Sequence, residues 1–216
     1  MYSALYMESR NPFLELTDKV VKVDGPSEFA DDERGFLVLW GGADISPTIY
    51  GAKRNPHTYA HEAMSLRDRL EVNLAREAMS RGMLIVGVCR GAQLMCALSG
   101  GKLVQHVSGH SSSHDMETED GLIMDTSSLH HQMMYPWNVD HELIAWSSPP
   151  LSSYHQGETV DEDLVAPVER GGLPVEPEIV FFPETNALAI QGHPEYRNPD
   201  TPFVKYCNQL IKEYCQ

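Results

Sequence analysis

Two stretches, residues 35–40 and 84–88, are apolar without alternation, the pattern of inner parallel strands covered on both faces. Between them, Ala63, Leu66, Leu70, Leu74 and Ala78 recur at three- and four-residue steps, which predicts an amphipathic helix over 61–81. Arg67 and Glu71 stand four apart on that helix and can pair, so its charged face is expected to be solvated. A helix-compatible segment follows directly on residue 89. Strand, helix, strand and helix in that order predict an α/β fold with a mostly parallel sheet and its functional loops at the carboxyl ends of the strands.

The remaining elements are shorter. Residues 2–7 and 19–23 read as strands with a turn or short helix at Asn11-Pro12 between them, and 29–34 form an acidic approach to the next strand. Strands are also expected at 102–104 and 142–147, and 177–183 with 187–190 read as a hairpin through Glu184-Thr185-Asn186. A closing helix over 203–214 carries Phe203, Tyr206, Cys207, Leu210, Ile211 and Tyr214 on or near one stripe. Ser148-Pro149-Pro150 and 158–163 read as surface connections. The 216 residues suit one domain covering the whole chain.

Charge narrows the partners. With 31 acidic against 16 basic residues the net charge is −15, which repels nucleic-acid backbones and anionic lipid surfaces. No apolar run reaches bilayer length and no leader pattern opens the chain, so a soluble cytoplasmic protein is expected. The cysteines agree with a reducing compartment: Cys89 and Cys96 share one helix region, and Cys207 and Cys215 would stand roughly 12 Å apart along another.

The candidate chemistry centres on Cys89. It lies in a Gly-x-Cys-x-Gly turn between strand 84–88 and the following helix, where Gly87 and Gly91 remove side chains that would clash with a strained elbow. Unpaired N–H groups at a helix start carry positive potential, which favours the thiolate form of a sulfur held there and leaves the N–H of Arg90 free for an oxyanion. The alternative is a small buried core residue. Gly41-Gly42, after strand 35–40, allows a second main-chain N–H to approach a ligand; a plain tight turn uses the same residues. His193 could serve as base and Glu195, two residues on across Pro194, as the group that orients it. Histidines at 106, 110 and 114 suggest a metal, but Gly109 and the neighbouring serines oppose a helix that would align them. That stretch is therefore expected to be a mobile loop, with no metal and no cofactor. Ser127 to Gln132 is a further polar cluster able to hold amino and carboxylate groups, or a turn with a capping serine.

Taken in order, the segment 39–47 with Tyr50-Gly51, Arg67-Asp68 with Glu71, the segment 87–93, Gly100-Gly101-Lys102-Leu103 with Gln105, Ser128 to Gln132, and His193-Pro194-Glu195 resemble a class I glutamine amidotransferase domain. The closer likeness is to the γ-glutamyl hydrolase-like branch, peptidase C26, over about residues 37–195. The resemblance implies a flavodoxin-like sheet flanked by helices, with a small antiparallel portion in the C-terminal half. It implies Cys89 as nucleophile, His193 as base, Glu195 as its partner, and the N–H groups of Gly42 and Arg90 as oxyanion donors. Gln93, Ser128, His130 and His131 would lie near a γ-glutamyl group. It further implies hydrolysis of glutamine or another γ-glutamyl compound through a thioester, with ammonia passed to a synthetase or ligase partner in the amidotransferase case. A stand-alone γ-glutamyl hydrolase and a non-catalytic subunit of the same fold are the alternatives. Three departures stand out: Trp40 where proline is common, Gly192 where an aromatic precedes His-Pro-Glu, and a short Ser/His-rich region at 107–127.

Overall fold

In the computed structural model, residues 1–4, 10–30 and 35–215 are described. They build one nine-stranded sheet from β1 (Tyr2–Ser3), β2 (Val21–Lys22), β3 (Phe36–Leu39), β4 (Leu84–Val88), β5 (His114–Thr118), β6 (Ile123–Thr126), β7 (Glu142–Ser147), β8 (Pro177–Phe182) and β9 (Ala187–Ile190). The order across the sheet is β2-β1-β3-β4-β9-β8-β7-β5-β6. Pairing is parallel from β2 through β9 and antiparallel from β9 to β6.

Alternate residues of the inner strands feed two cores. Leu37, Leu39, Ile85 and Ala189 pack under helices α1 (Leu66–Ser80) and α2 (Arg90–Leu98). Phe36, Val38, Val86, Val88 and Ile190 pack under α3 (Pro202–Tyr214) through Phe203, Cys207, Leu210 and Ile211. Burial on both faces explains why β3 and β4 carry unbroken apolar runs.

Several expectations need correction. The first helix begins at Leu66, where Ser65 and Asp68 form a capping box, not at residue 61. Leu66 is 83% exposed, and the buried face runs through Asp68, Glu71, Val72, Leu74, Ala75 and Ala78. The expected solvated charged face is thus partly the buried one. Stretch 106–114 is no free loop: His106–Val107 pairs with His155–Gln156, His110 is 1% exposed, and His114 opens β5. β5 and β6 carry no continuous apolar run because they bury only alternate positions, such as Met116, Thr118, Met124 and Thr126. Near the start, β1 covers only the first part of the expected strand, and residues 5–7 of it, like 31–34 of the acidic approach, lie outside the described residues. All four cysteines are free.

Candidate active site

β4 and β9 run side by side and end together, which brings two distant parts of the chain to one sheet edge. Cys89 follows β4 with φ 49° and ψ −103°, a region that costs a non-glycine residue about 1–3 kcal/mol. Its N–H donates to the carbonyl of Ile190 at 2.7 Å, pinning the elbow to the end of β9. A methyl group at Gly91 would lie 2.1 Å from the Leu39 carbonyl oxygen, so the elbow can press on β3 only through glycine. His193 stands three residues beyond β9. The loop after β3 completes the edge: a Cβ at Gly41 would lie 2.7 Å from His193 Cε1 and 3.5 Å from Cys89 Cβ.

His193 Nδ1 lies 2.7 Å from Glu195 Oε1, and both side chains are buried. The Tyr196 ring stacks on the imidazole at 4.5 Å, and the His193 N–H donates to the Ser127 carbonyl at 3.1 Å. Burial by itself would lower the imidazole pKa. The nearby Cys89 sulfur and the hydrogen-bonded Glu195 carboxylate, with the charge of both, outweigh burial and raise it from 6.5 to about 10. The folded chain therefore holds this proton more tightly than the unfolded chain. The resulting stabilisation is complete below pH 6.5 and is lost as pH rises through about 10. In Glu195→Gln, one of the two raising partners is gone, and the imidazole is expected to titrate at least about one unit lower. Histidine NMR across a pH series measures this; an unmoved midpoint would contradict the pairing.

A buried ion network grips the elbow and the glycine loop from below. The Arg90 guanidinium, 2% exposed, pairs with both Asp68 and Glu71 of α1. The other Glu71 oxygen takes Arg67 Nε at 2.8 Å, and Arg67 Nη2 donates to the carbonyls of Trp40 at 2.8 Å and Gly41 at 2.9 Å. With their carbonyls turned to Arg67, the Gly41-Gly42 peptides are braced where a second oxyanion donor is expected. Gly42 itself has φ 147° and presses against Arg67 with no room for a side chain. Sequence reading missed this role of Arg67, Asp68 and Glu71, although two carboxylates three apart on one helix, opposite an arginine in the elbow, were the available signal.

The other predicted residues find partners within the protein. Gln93 donates to the Gln132 carbonyl at 2.9 Å, and Ser128 Oγ donates to the His110 carbonyl at 3.0 Å. His131 Nε2 lies 2.7 Å from Asp44 Oδ2. His130 is buried and stacks on His110, with the ring centroids 4.6 Å apart. Around that stack His114, His155, Glu176 and Glu178 complete a buried polar cluster. Glu176 is itself desolvated, yet hydrogen bonds from His110, His155 and Ser152 hold its carboxyl well below the usual range. Gly192 explains one departure: a Cβ there would meet Thr126 Oγ1 at 2.3 Å and Phe203 Cζ at 3.0 Å, so no aromatic fits.

The sequence model of the peptidase C26 family matches residues 32–195. The chain belongs to the peptidase C26 family. The match places this C26 chain within the class I glutamine amidotransferase superfamily and spans the elbow, the glycine loop and the His-Pro-Glu segment. A Mycobacterium tuberculosis protein provisionally named a glutamine amidotransferase is 34% identical over 178 residues, covering 78% of this chain and 53% of that protein. The C26 chain thus spans about half of that relative, and 31% of a Lactococcus lactis protein named as glutamine amidotransferase-like, to which it is 41% identical over 76 residues, or 35% of its own length. Among solved structures, a Thermoplasma acidophilum protein provisionally described as a GMP synthase subunit superposes with a TM-score of 0.61 at 17% identity, covering 99% and 92% of the two chains. A Thermotoga maritima glutamine amidotransferase gives 0.56 at 12% identity, covering 99% and 93%. These two likenesses establish the shared fold: a mostly parallel sheet flanked by helices.

Proposed function

We propose that the chain hydrolyses γ-glutamyl amide bonds through Cys89, His193 and Glu195. The reading rests chiefly on the strained Cys89 turn meeting a His193–Glu195 pair held at 2.7 Å, with the thiol among the groups that raise the imidazole. The thiol passes its proton to His193 as sulfur attacks the γ-carbonyl, forming a C–S bond, and the resulting oxyanion is met by the N–H groups of Gly42 and Arg90. Collapse breaks the C–N bond as His193 gives its proton to the leaving amine. A water, deprotonated by His193, then attacks the thioester, releasing glutamate or a γ-glutamyl acid and restoring the thiol. An imidazole raised to about 10 holds that proton ready at neutral pH. Gln93, Ser128, His130 and His131 belong to the wall that would surround the glutamyl moiety, through the main chain they hold as much as through their side chains.

Free glutamine is the substrate that the relatives' names favour, with ammonia passed to a synthetase or ligase partner. The peptidase C26 match favours a second reading, a stand-alone hydrolase of γ-glutamyl peptides or amines. Both assign the same chemistry and the whole chain to one domain. Among the described residues no helix is long and apolar enough to cross a membrane. Incubation with glutamine and with γ-glutamyl peptides, measuring glutamate and ammonia, decides between them. Turnover of peptides with none of glutamine, even with a candidate partner present, removes the amidotransferase reading. A glutamine-like electrophile should label Cys89 far faster than Cys96, whose thiol burial pushes up to about 12. No turnover of either substrate, with equally slow labelling of both thiols, would leave a non-catalytic subunit.

A further inference from the structure

We infer that His110, His130 and Glu178 form a binding site for one divalent transition-metal ion of the zinc class. The three residues come from separate segments, which is why no helical histidine spacing announces the site, and why the sequence pointed to no metal. Each offers one ligand atom, and these atoms all lie within 4.8 Å of one another. Three such atoms fit within about 2.8 Å of a common centre, so small side-chain shifts reach the roughly 2.0–2.2 Å of zinc–nitrogen and zinc–oxygen bonds.

The hydrogen bonds around the group fix which atoms are bare. His110 Nε2 lies 3.0 Å from Glu176 Oε2, a carboxylate that only accepts, so that nitrogen carries a proton, while Nδ1 faces Glu178 with Oε1 3.7 Å away and is the atom open to a metal. His130 Nδ1 lies 2.8 Å from the Gln132 carbonyl, which also only accepts, so its Nε2 is the bare one. Glu178 takes His114 Nε2 on Oε1 at 2.8 Å. What remains, His110 Nδ1, His130 Nε2 and Glu178 Oε2, is buried without a hydrogen-bond partner. Buried polar atoms left without a partner are unfavourable, and a cation bound among these three residues would satisfy them together.

The outer shell has the form that metal-bound histidines use. His110 is backed by the Glu176 carboxylate and His130 by a main-chain carbonyl, the contacts that set tautomer and ring orientation. Glu176 is held in turn by His155 Nε2 at 3.0 Å and by the N–H groups of Leu151 at 2.7 Å and Ser152 at 2.9 Å. Two imidazoles and one carboxylate suit zinc and its neighbours and not magnesium or calcium. Gln191, on the strand edge beside Glu178, is also buried with both amide atoms unpartnered. An ion here would join stretch 106–114 and segment 127–132 to β8. Ser127, three residues before His130, binds the His193 main chain, so the ion would help brace the segment that holds the base.

The test reads the metal and is independent of turnover. The full chain, stripped with chelator, is titrated with Zn²⁺ against a chromophoric competitor, with Mg²⁺ as the contrast. One tight equivalent of Zn²⁺ with a raised Tm, and none of Mg²⁺, is expected. Glu176→Gln, which leaves all three ligands in place, should weaken Zn²⁺ binding about 10–100-fold, and His130→Ala by more. A second, more exposed histidine group supplies the control: His57 and His131 flank His106 with ring centroids 4.8 and 6.3 Å away. The double change His57→Ala with His106→Ala should leave the tight equivalent unaltered. Failure of the unmodified protein to take up Zn²⁺ overturns the site, as does binding that survives His130→Ala or vanishes in the surface double variant.

Discussion

Replacing Cys89 with glycine should separate activity from stability in opposite directions. On the proposed chemistry, loss of the sulfur removes the only nucleophile, and release of glutamate should fall about 10⁴- to 10⁶-fold. Yet φ 49° and ψ −103° are strained for cysteine and open to glycine. Relief of about 1–3 kcal/mol of backbone strain, less the entropy of glycine, should leave this variant more stable than Cys89→Ala by about 1 kcal/mol. Cys89→Ala loses turnover equally but keeps the strain, and serves as the reference. Chemical denaturation of both, alongside ammonia release, makes the comparison. A glycine variant less stable than the alanine one would show that the elbow carries no stored strain, and retained turnover would reject Cys89 as nucleophile.

The second large effect falls on a residue that need never meet substrate with its side chain. Arg90→Ala leaves Asp68 and Glu71, 2% and 0% exposed, as buried carboxylates short of a counter-charge. Breaking a buried pair in this way costs about 3–5 kcal/mol, a large part of an ordinary domain's stability. Arg90→Met with Asp68→Asn and Glu71→Gln removes the charges together and should recover much of the loss. Urea unfolding measures both. If the single variant unfolds within about 1 kcal/mol of the parent, the network is not holding the elbow.

The parts of this fold legible in the sequence are those where one physical demand dominates. β3 and β4 are buried on both faces, so unbroken apolar runs reveal them, and the glycines around Cys89 are imposed by close backbone packing, Gly91 against Leu39 and Gly87 against the Gly91 carbonyl. His193-Pro194-Glu195 is readable because a pair two residues apart is local. What could not be read depends on contacts across long separations. The buried side of α1 is polar because Arg90 neutralises it, and a periodicity count takes polar for exposed. His110, His130 and Glu178 lie on three segments, and β5 with β6 hides half its residues behind an acidic surface. Gly192 is readable only once Thr126 and Phe203 are known to stand against it.

Glu71 has one carboxylate and two arginines, one steadying the elbow and the other the glycine loop. A lineage that alters this acid therefore alters both walls of the candidate site in one step. Replacements at positions 67, 71 and 90 should accordingly be inherited together, and an alignment of relatives should show them drifting as a set, while Cys89 stays fixed beside them.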